Sequence, residues 1–316
     1  MSGVRIAALG HHQPERVLTN DELAAMVDTD DEWIRRRTGI VTRRIAGADE
    51  SVTDLAAAAA AKALAASGLD PADIGQVTVA TCSAVDRCPS IAAQVAGRLG
   101  IPGAVAFDLN NGCAGFCTSL SVAGHSLLAG AAKHALVIGA EKMSDLVDWT
   151  DRRSCILLGD GAGAAVLSAT DGADSAIGPV VWGSDPSRAS AVRLLDQWHP
   201  QFEQDGQAVF RWATTELPAL AEQACRAAGL SPAELDGVVT HQANLRIIES
   251  LVQKLGLRED AVIARDVVDS GNTSAASVPL ALAKLVERGD LRPGARVLLF
   301  AFGGGLSWAG QVVTCP

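Results

Sequence analysis

The chain has 316 residues, 48% hydrophobic and only 20% charged, with a formal net charge of −10. A chain of this kind buries a large core, which excludes a disordered or fibrous protein. It carries no basic run and no interleaving of aromatic and basic residues, which argues against general nucleic-acid binding, and no apolar window is long enough to span a bilayer.

Met1 to Gly10 lacks the charged start and apolar core of a secretory signal, so a cytoplasmic location is expected. The seven cysteines are odd in number and scattered, which suits reduced thiols better than a disulfide framework. Without a paired Cys/His cluster, no metal site is expected.

Helical Ala/Leu periodicity alternates with short β-branched runs, the pattern of a layered α/β protein. Ser51 to Ser67 reads as a helix closed by Gly68, and Gln76 to Thr81 as a strand. Ala104 to Leu109 reads as a short buried strand, Asn110 to Gly112 as a tight turn, and Cys113 as the first residue of a helix reaching about Leu128. A thiol at a helix N-terminus is expected to have a lowered pKa and to serve as a nucleophile. The plainer reading of one such cysteine is a buried structural residue.

Gly159-Asp160-Gly161-Ala162-Gly163 lacks dinucleotide-binding spacing and is expected to be a tight hairpin. Thr170 to Gly178 is the best joint between two parts, 1–172 and 173–316. The irregular stretch Gly183 to Gly206, with Pro186, Trp198, His199 and Pro200, reads as an ordered lid or pocket loop.

The second part repeats the first. Gly68-Leu69-Asp70-Pro71-Ala72-Asp73-Ile74 returns as Gly229-Leu230-Ser231-Pro232-Ala233-Glu234-Leu235, each after an Ala-rich helix and before a Val-rich strand. Leu99-Gly100-Ile101 is echoed by Leu255-Gly256-Leu257. The repeat sets the turn before Cys113 opposite Ser270 to Ser274, from which a helix runs to about Glu287. His241 ends the strand Val238 to Thr240. Cys113, His241 and Asn272 then fall at strand ends or helix starts on related edges of two similar halves, where ligand sites of layered α/β folds gather. On local grounds alone Asn272 also reads as a turn or cap residue. Phe302-Gly303-Gly304-Gly305-Leu306 joins two terminal strands and reads either as a tight turn or as a place where a backbone N–H faces a ligand.

Taken together and in order, these residues resemble the β-ketoacyl-acyl carrier protein synthase III family of thiolase-superfamily condensing enzymes over nearly the full length. The marks are Asp31-Glu32-Trp33-Ile34 with Arg37-Thr38-Gly39-Ile40, Cys113-Ala114-Gly115-Phe116, Gly159 to Ala164, His241 to Arg246, Gly271 to Ser277 and Phe302 to Gly305. The resemblance implies a thiolase-like duplicated five-layered αβαβα sandwich and a homodimer. It also implies an acyltransferase that condenses an acyl-CoA with malonyl-acyl carrier protein, without cofactor.

Under the resemblance, Cys113 is the acyl-accepting nucleophile, the N–H groups of Cys113 and Gly304 form its oxyanion hole, and His241 and Asn272 support the enolate left by decarboxylation. CoA would be met by Thr29, Trp33, Arg37, Arg152, Phe210, Ala243 and Asn244, and the acidic carrier protein by Arg211, Arg246 and Lys254. The acyl pocket would include Cys88, Leu158 and Phe302. Cys88 stands where many members carry an aromatic residue, which implies a roomier tunnel and longer or branched starters. Asn110 and Asn111 depart from the smaller residues usual before the nucleophile. Close variants stay open: a polyketide starter-unit synthase, or a relative that acylates an alcohol or amine. A papain-like protease fails on local signature and fold pattern, and a non-catalytic partner subunit fails on the intact triad.

Overall fold

In the computed structural model, described over residues 3–172, 175–196 and 199–316, two five-stranded sheets carry the molecule. The first half supplies β1 (Gly3–His12), a small ribbon of β2 (Val17–Thr19) and β3 (Thr42–Arg44), β4 (Ile74–Ala80), β5 (Val105–Leu109), β6 (His134–Lys142) and β7 (Asp160–Thr170). The second supplies β8 (Val181–Ser184), a hairpin of β9 (Val192–Leu195) and β10 (Gln201–Gln204), then β11 (Gly237–Thr240), β12 (Val262–Ile263), β13 (Arg296–Gly303) and β14 (Ser307–Thr314). The helices are α1 (Asn20–Ala24), α2 (Asp31–Thr38), α3 (Val52–Ser67), α4 (Ile91–Arg98), α5 (Gly115–Leu128), α6 (Gly206–Thr215), α7 (Leu217–Ala227), α8 (Leu245–Leu255), α9 (Val267–Ser270) and α10 (Ser277–Glu287).

The repeat read from the sequence is a repeat of topology. One sheet runs β1-β7-β6-β4-β5 and the other β8-β14-β13-β11-β12. In each, two parallel pairings follow two antiparallel ones in the same places. The echoed Pro71–Asp73 and Pro232–Glu234 are single 3-10 turns, each with Pro at its start and an acidic side chain closing a capping box, and each leading into the strand next to the edge of its sheet.

Three apolar clusters make the layers. Helix α3, with Leu55, Ala56, Ala59 and Ala63 on one face, covers the outside of the first sheet together with α4. Helices α5 and α10 lie between the sheets and pack on strands of both. Helices α6, α7 and α8 cover the outside of the second sheet. The order is therefore helix, sheet, helix pair, sheet, helix, the expected five-layered sandwich.

Two local expectations change. Gly159 to Gly163 is not a hairpin: Asp160 begins β7, an eleven-residue strand. The glycines serve packing, since a methyl group on Gly163 would overlap the backbone of Pro279 and Leu280 at the start of α10. Strand β5 is not fully buried. It is the edge of its sheet, and Val105 is 58% exposed. Of the irregular stretch, Gln201–Gln204 pairs with Val192–Leu195 as a hairpin, while Trp198 lies outside the described residues, as does residue 173 at the joint between the halves.

Candidate active site

Cys113 sits between β5 and α5, but the helix begins two residues later than its sequence suggests, at Gly115. The chain between is a turn closed by the Ala114 and Gly115 N–H groups donating to the carbonyls of Asn111 and Gly112. The two asparagines hold that turn. Asn110 Oδ1 accepts from the Gly112 N–H at 3.1 Å, and Asn111 Nδ2 donates to Thr118 Oγ1, one turn into α5, at 2.9 Å.

The glycine-rich terminal loop comes up against the thiol. A Cβ on Gly303 would stand 2.7 Å from Cys113 Cβ and 2.8 Å from its sulfur, so only glycine admits this approach. The approach leaves the N–H groups of Gly304 and of Cys113 facing the sulfur. Contrary to the helix-terminus expectation, the thiol pKa is not lowered. Burial pushes it up to about 11; the Ser274 hydroxyl and the two N–H groups pull it down, and the charge of Glu141 adds to the rise. A helix end favours a thiolate only while the desolvation of the sulfur costs less than the dipole returns.

His241 continues the second sheet, its N–H donating to the Phe300 carbonyl at 2.8 Å. The ring packs edge-on against Phe302, centroids 5.3 Å apart, and burial pushes its pKa down to about 3, so it is a neutral imidazole. Its Nδ1 lies 2.8 Å from Ser277 Oγ, which also accepts from the Gln242 N–H at 3.3 Å. We assign the Ser277 hydroxyl proton to this contact with Nδ1, which puts the imidazole's own proton on Nε2.

Asn272 follows α9 and is pinned on both sides of its backbone: its N–H donates to the Leu157 carbonyl at 2.8 Å, and its carbonyl accepts from the Gly159 N–H at 3.1 Å. Its Oδ1 accepts from the Ser274 N–H at 2.9 Å, which fixes the amide flip and leaves Nδ2 as the end that can donate to a ligand. Ser274 ties the groups together, because its hydroxyl donates to Cys113 Sγ at 3.5 Å.

A cavity of about 430 Å³ opens over Cys113, lined by Cys82, Asn110 to Gly112, Met143, Val192 to Leu194, Phe202, Ser274, Gly304 and Gly305. The apolar and basic wall from the β9–β10 hairpin was foreseen only as a loop. Of the three expected acyl-pocket residues, Leu158 is buried beside the Asn272 backbone and Phe302 behind the His241 ring. Cys88 is exposed, away from the cavity of its own chain.

The expected CoA contacts gather on a second patch. Two guanidinium groups lie over the Trp33 ring, Arg37 at 5.1 Å and Arg152 at 5.2 Å from its centroid, and Arg152 donates to the Asp28 carbonyl at 2.7 Å. Thr29 Oγ1 is buried without a partner among the described residues. Asn244 has a structural task besides: it caps α8 through the Arg246 N–H and donates to the Arg37 carbonyl at 3.1 Å. Ala243 and Phe210 are half-buried nearby, and Arg246 lies 5.2 Å over the Phe210 ring. Arg211, Arg246 and Lys254 are exposed on α6 and α8, which pack together. Among the described residues no group of three His, Cys, Asp or Glu side chains forms a metal site, and no helix is long and apolar enough to cross a membrane.

Sequence reasoning missed Glu141, Cys82, Ser274 and Ser277. Each is distant in sequence from Cys113; Ser274 and Ser277 sit within the Gly271 to Ser277 motif, where only Asn272 was given a role, and Glu141 and Cys82 belong to no short motif whose spacing announces chemistry. Only the end-on meeting of β4, β6 and the 274–277 segment makes them neighbours.

Comparison with known proteins gives a consistent answer. Residues 107–186 match the family model for 3-oxoacyl-[acyl-carrier-protein] synthase III, and residues 225–315 match the model for its C-terminal part. The chain is 62% identical to β-ketoacyl-[acyl-carrier-protein] synthase III 4 of Streptomyces coelicolor, over 99% of each chain. It is equally identical to synthase III 2 of Streptomyces avermitilis over the whole of both. Among solved structures, the priming β-ketosynthase of the R1128 polyketide pathway superposes with a TM-score of 0.97 at 41% identity, covering 99% of this chain and 96% of that one.

Proposed function

Because the chain belongs to the 3-oxoacyl-[acyl-carrier-protein] synthase III family, we propose that it is an initiating condensing enzyme. It joins an acyl-CoA starter to malonyl-acyl carrier protein, giving β-ketoacyl-acyl carrier protein, CoA and carbon dioxide. The observation that supports the residue assignment is the meeting of Cys113, Gly304 and Ser274 at one cavity, with Ser274 fixing the Asn272 amide through its N–H and His241 held as a neutral imidazole against Phe302, although neither Asn272 nor His241 itself lines that cavity.

In this reading the Cys113 sulfur attacks the starter thioester, whose oxygen is received by the N–H groups of Cys113 and Gly304. CoA lies with its adenine against Trp33 and its phosphates toward Arg37 and Arg152. After CoA leaves, malonyl-acyl carrier protein docks by its acidic surface on Arg211, Arg246 and Lys254. Its thioester oxygen takes hydrogen bonds from His241 Nε2–H and Asn272 Nδ2–H. These donors stabilise the enolate as carbon dioxide departs, and the enolate carbon attacks acyl-Cys113. None of these steps calls on a metal or a resident cofactor. The halves 1–172 and 173–316 divide the work, the first carrying the nucleophile and the second the His and Asn.

The open edge of β5, with exposed Val105, supports a homodimer built by pairing this edge with its twin. There Cys88 of one subunit would reach the acyl end of the other's cavity and leave room for longer or branched starters. A cytoplasmic site of action goes with this chemistry.

The likeness to a priming ketosynthase supports a second reading, in which the same condensation supplies the starter of a polyketide. Incubation with a panel of acyl-CoAs and with malonyl groups loaded on carrier proteins of each kind separates the two. Product on the fatty-acid carrier supports the first reading, and product confined to a polyketide carrier supports the second. Transfer of the acyl group to a small alcohol or amine contradicts both.

A further inference from the structure

Beneath the nucleophile lies a carboxylate for which the condensation above has no task. Glu141, at the end of β6, is completely buried. It accepts hydrogen bonds from Thr81 Oγ1 at 3.0 Å, from the N–H groups of Cys82 at 3.1 Å, Ser83 at 3.0 Å and Ala275 at 3.4 Å, from the Ser83 hydroxyl at 2.5 Å and from the Cys82 thiol at 3.3 Å. No basic side chain is among these partners. Burying a carboxylate without a cation is costly, and the dense shell of donors is what sustains it.

One of those donors leads to the reacting sulfur. The Cys82 thiol is 3.7 Å from Ser274 Oγ, and Ser274 Oγ is 3.5 Å from Cys113 Sγ. With the Ser274 hydroxyl donating to Cys113 and the Cys82 thiol to Glu141, a turn of the Ser274 hydroxyl toward Cys82 lines up thiol, hydroxyl, thiol and carboxylate as one row within hydrogen-bonding reach. Ser274 takes its place in the row with a left-handed backbone, φ +47°, a conformation serine seldom adopts and one that collects at functional sites.

We propose that this row is a proton relay: Glu141 receives the proton Cys113 gives up on acylation, holds it in the acyl-enzyme, and returns it when condensation frees the thiolate. The proposal rests on the reading of Cys113 as the acyl-accepting nucleophile. In acylation the bond from Cys113 Sγ to the acyl carbon forms as the bond from that carbon to the CoA sulfur breaks. With the Ser274 hydroxyl turned from Cys113 to Cys82, the Cys113 proton moves to Ser274 Oγ, the Ser274 proton to Cys82 Sγ and the Cys82 proton to a Glu141 oxygen. CoA leaves as a thiolate that takes its proton from solvent. In condensation the malonyl carboxylate leaves as carbon dioxide and its electron pair forms the new carbon–carbon bond. Cys113 is expelled as a thiolate and is reprotonated along the same row in reverse. One solvent proton is consumed overall, as the loss of a carboxylate as carbon dioxide requires.

The alternative acceptor is poorly suited. His241 Nδ1 is already engaged by Ser277, and burial has made the imidazole a very weak base. A Cys113 thiolate beside the Glu141 carboxylate would also place two like charges in one buried site, whereas the relay never gathers more than one there.

Rapid-quench intact-mass kinetics of the full-length enzyme with acetyl-CoA test the relay in the parent, Cys82→Ala and Cys82→Ser. Cys82→Ala is expected to slow acylation by about 10²-fold, the lower end of what a positioned proton acceptor contributes. Cys82→Ser keeps a donor and acceptor in the row and should recover most of that rate. Acylation at the parental rate in Cys82→Ala overturns the relay, and so does equal slowing by Ala and Ser, which marks a packing role. Infrared difference spectra, acylated minus free, add an independent reading. A protonated-carboxyl band is expected in the parent and not in Glu141→Gln, and its absence from the parent overturns the proposal. Should the parent gain no acyl mass on Cys113, the functional reading itself fails, not the relay.

Discussion

Ser277→Ala isolates the tautomer of His241 from the presence of its ring. The substitution removes the oxygen that donates to Nδ1 at 2.8 Å and accepts from the Gln242 N–H at 3.3 Å. Both partners are buried. Two orphaned polar groups cost about 1 to 3 kcal/mol each, so unfolding free energy should fall by about 2 to 4 kcal/mol, discounting some relaxation. The effect on chemistry is separate. The lost hydrogen bond, worth about 1 to 1.5 kcal/mol, is what biases the proton to Nε2; without it the tautomer ratio drops from about 10:1 to about 1:1, so the donor-competent share falls by about twofold. Decarboxylation of malonyl-acyl carrier protein by pre-acylated enzyme should slow by that factor. That is less than the 10²- to 10³-fold expected for removing the donor outright in His241→Ala. Acylation of Cys113, which does not use His241, should keep its rate. Carbon dioxide release and intact-mass acylation are measured on the same preparation at a temperature where the variant is folded. If decarboxylation is unchanged, or if both half-reactions slow alike, the tautomer argument is wrong.

The same imidazole makes stability depend on pH. Folded His241 has a pKa of about 3 against an unfolded value of 6.5, so the unfolded chain takes up a proton that the folded one refuses. The stability present above pH 6.5 is lost as pH falls toward 3, by about 2 kcal/mol between pH 7 and pH 5. Asp160 works the other way: burial pushes it up to about 6 against an unfolded value of 3.8, so its contribution grows by about 1.3 kcal/mol over the same interval and is lost as pH rises through 6. Denaturant melts of the parent and His241→Gln at both pH values separate the two. The parent should lose about 2 kcal/mol more than the variant, and parallel behaviour would exclude a buried neutral His241. Arg246→Ala, on the exposed face of α8, should lower kcat/KM for malonyl-acyl carrier protein about two- to fivefold at low salt and leave acylation by acyl-CoA untouched. Raising the salt to about 1 M, where charges are screened within about 3 Å, should erase the difference. A difference that persists at that salt would point to a packing role on Phe210.

How much of this was legible in the sequence depended on range. Periodicity and capping signals gave α3 within a residue, from Ser51 as its cap to Gly68 as its left-handed stop. The echoed Gly-Leu-x-Pro segments disclosed a duplication that the two sheets repeat strand for strand. The strand end before His241 and the turn that carries Asn272 ahead of α10 came from the same alignment. What failed was what only packing decides. The Cys113 thiol is desolvated by elements remote in sequence, which outweighs the helix end. Gly163 looks like a turn residue until α10 is laid across it, and β5 reads as apolar although it is a sheet edge on which Val105 stays exposed. Asn110 and Asn111, unexplained as letters, are the side chains that hold the turn.

Everything turns on which atom takes the starter. Full-length enzyme is incubated with a single acyl-CoA, digested and sequenced by mass, then exposed to malonyl-acyl carrier protein. One acyl group on Cys113, discharged as β-ketoacyl carrier protein, is the expected result. An acyl group found on Cys82 or Cys88 instead, or one on Cys113 that malonyl-acyl carrier protein fails to remove, contradicts the account.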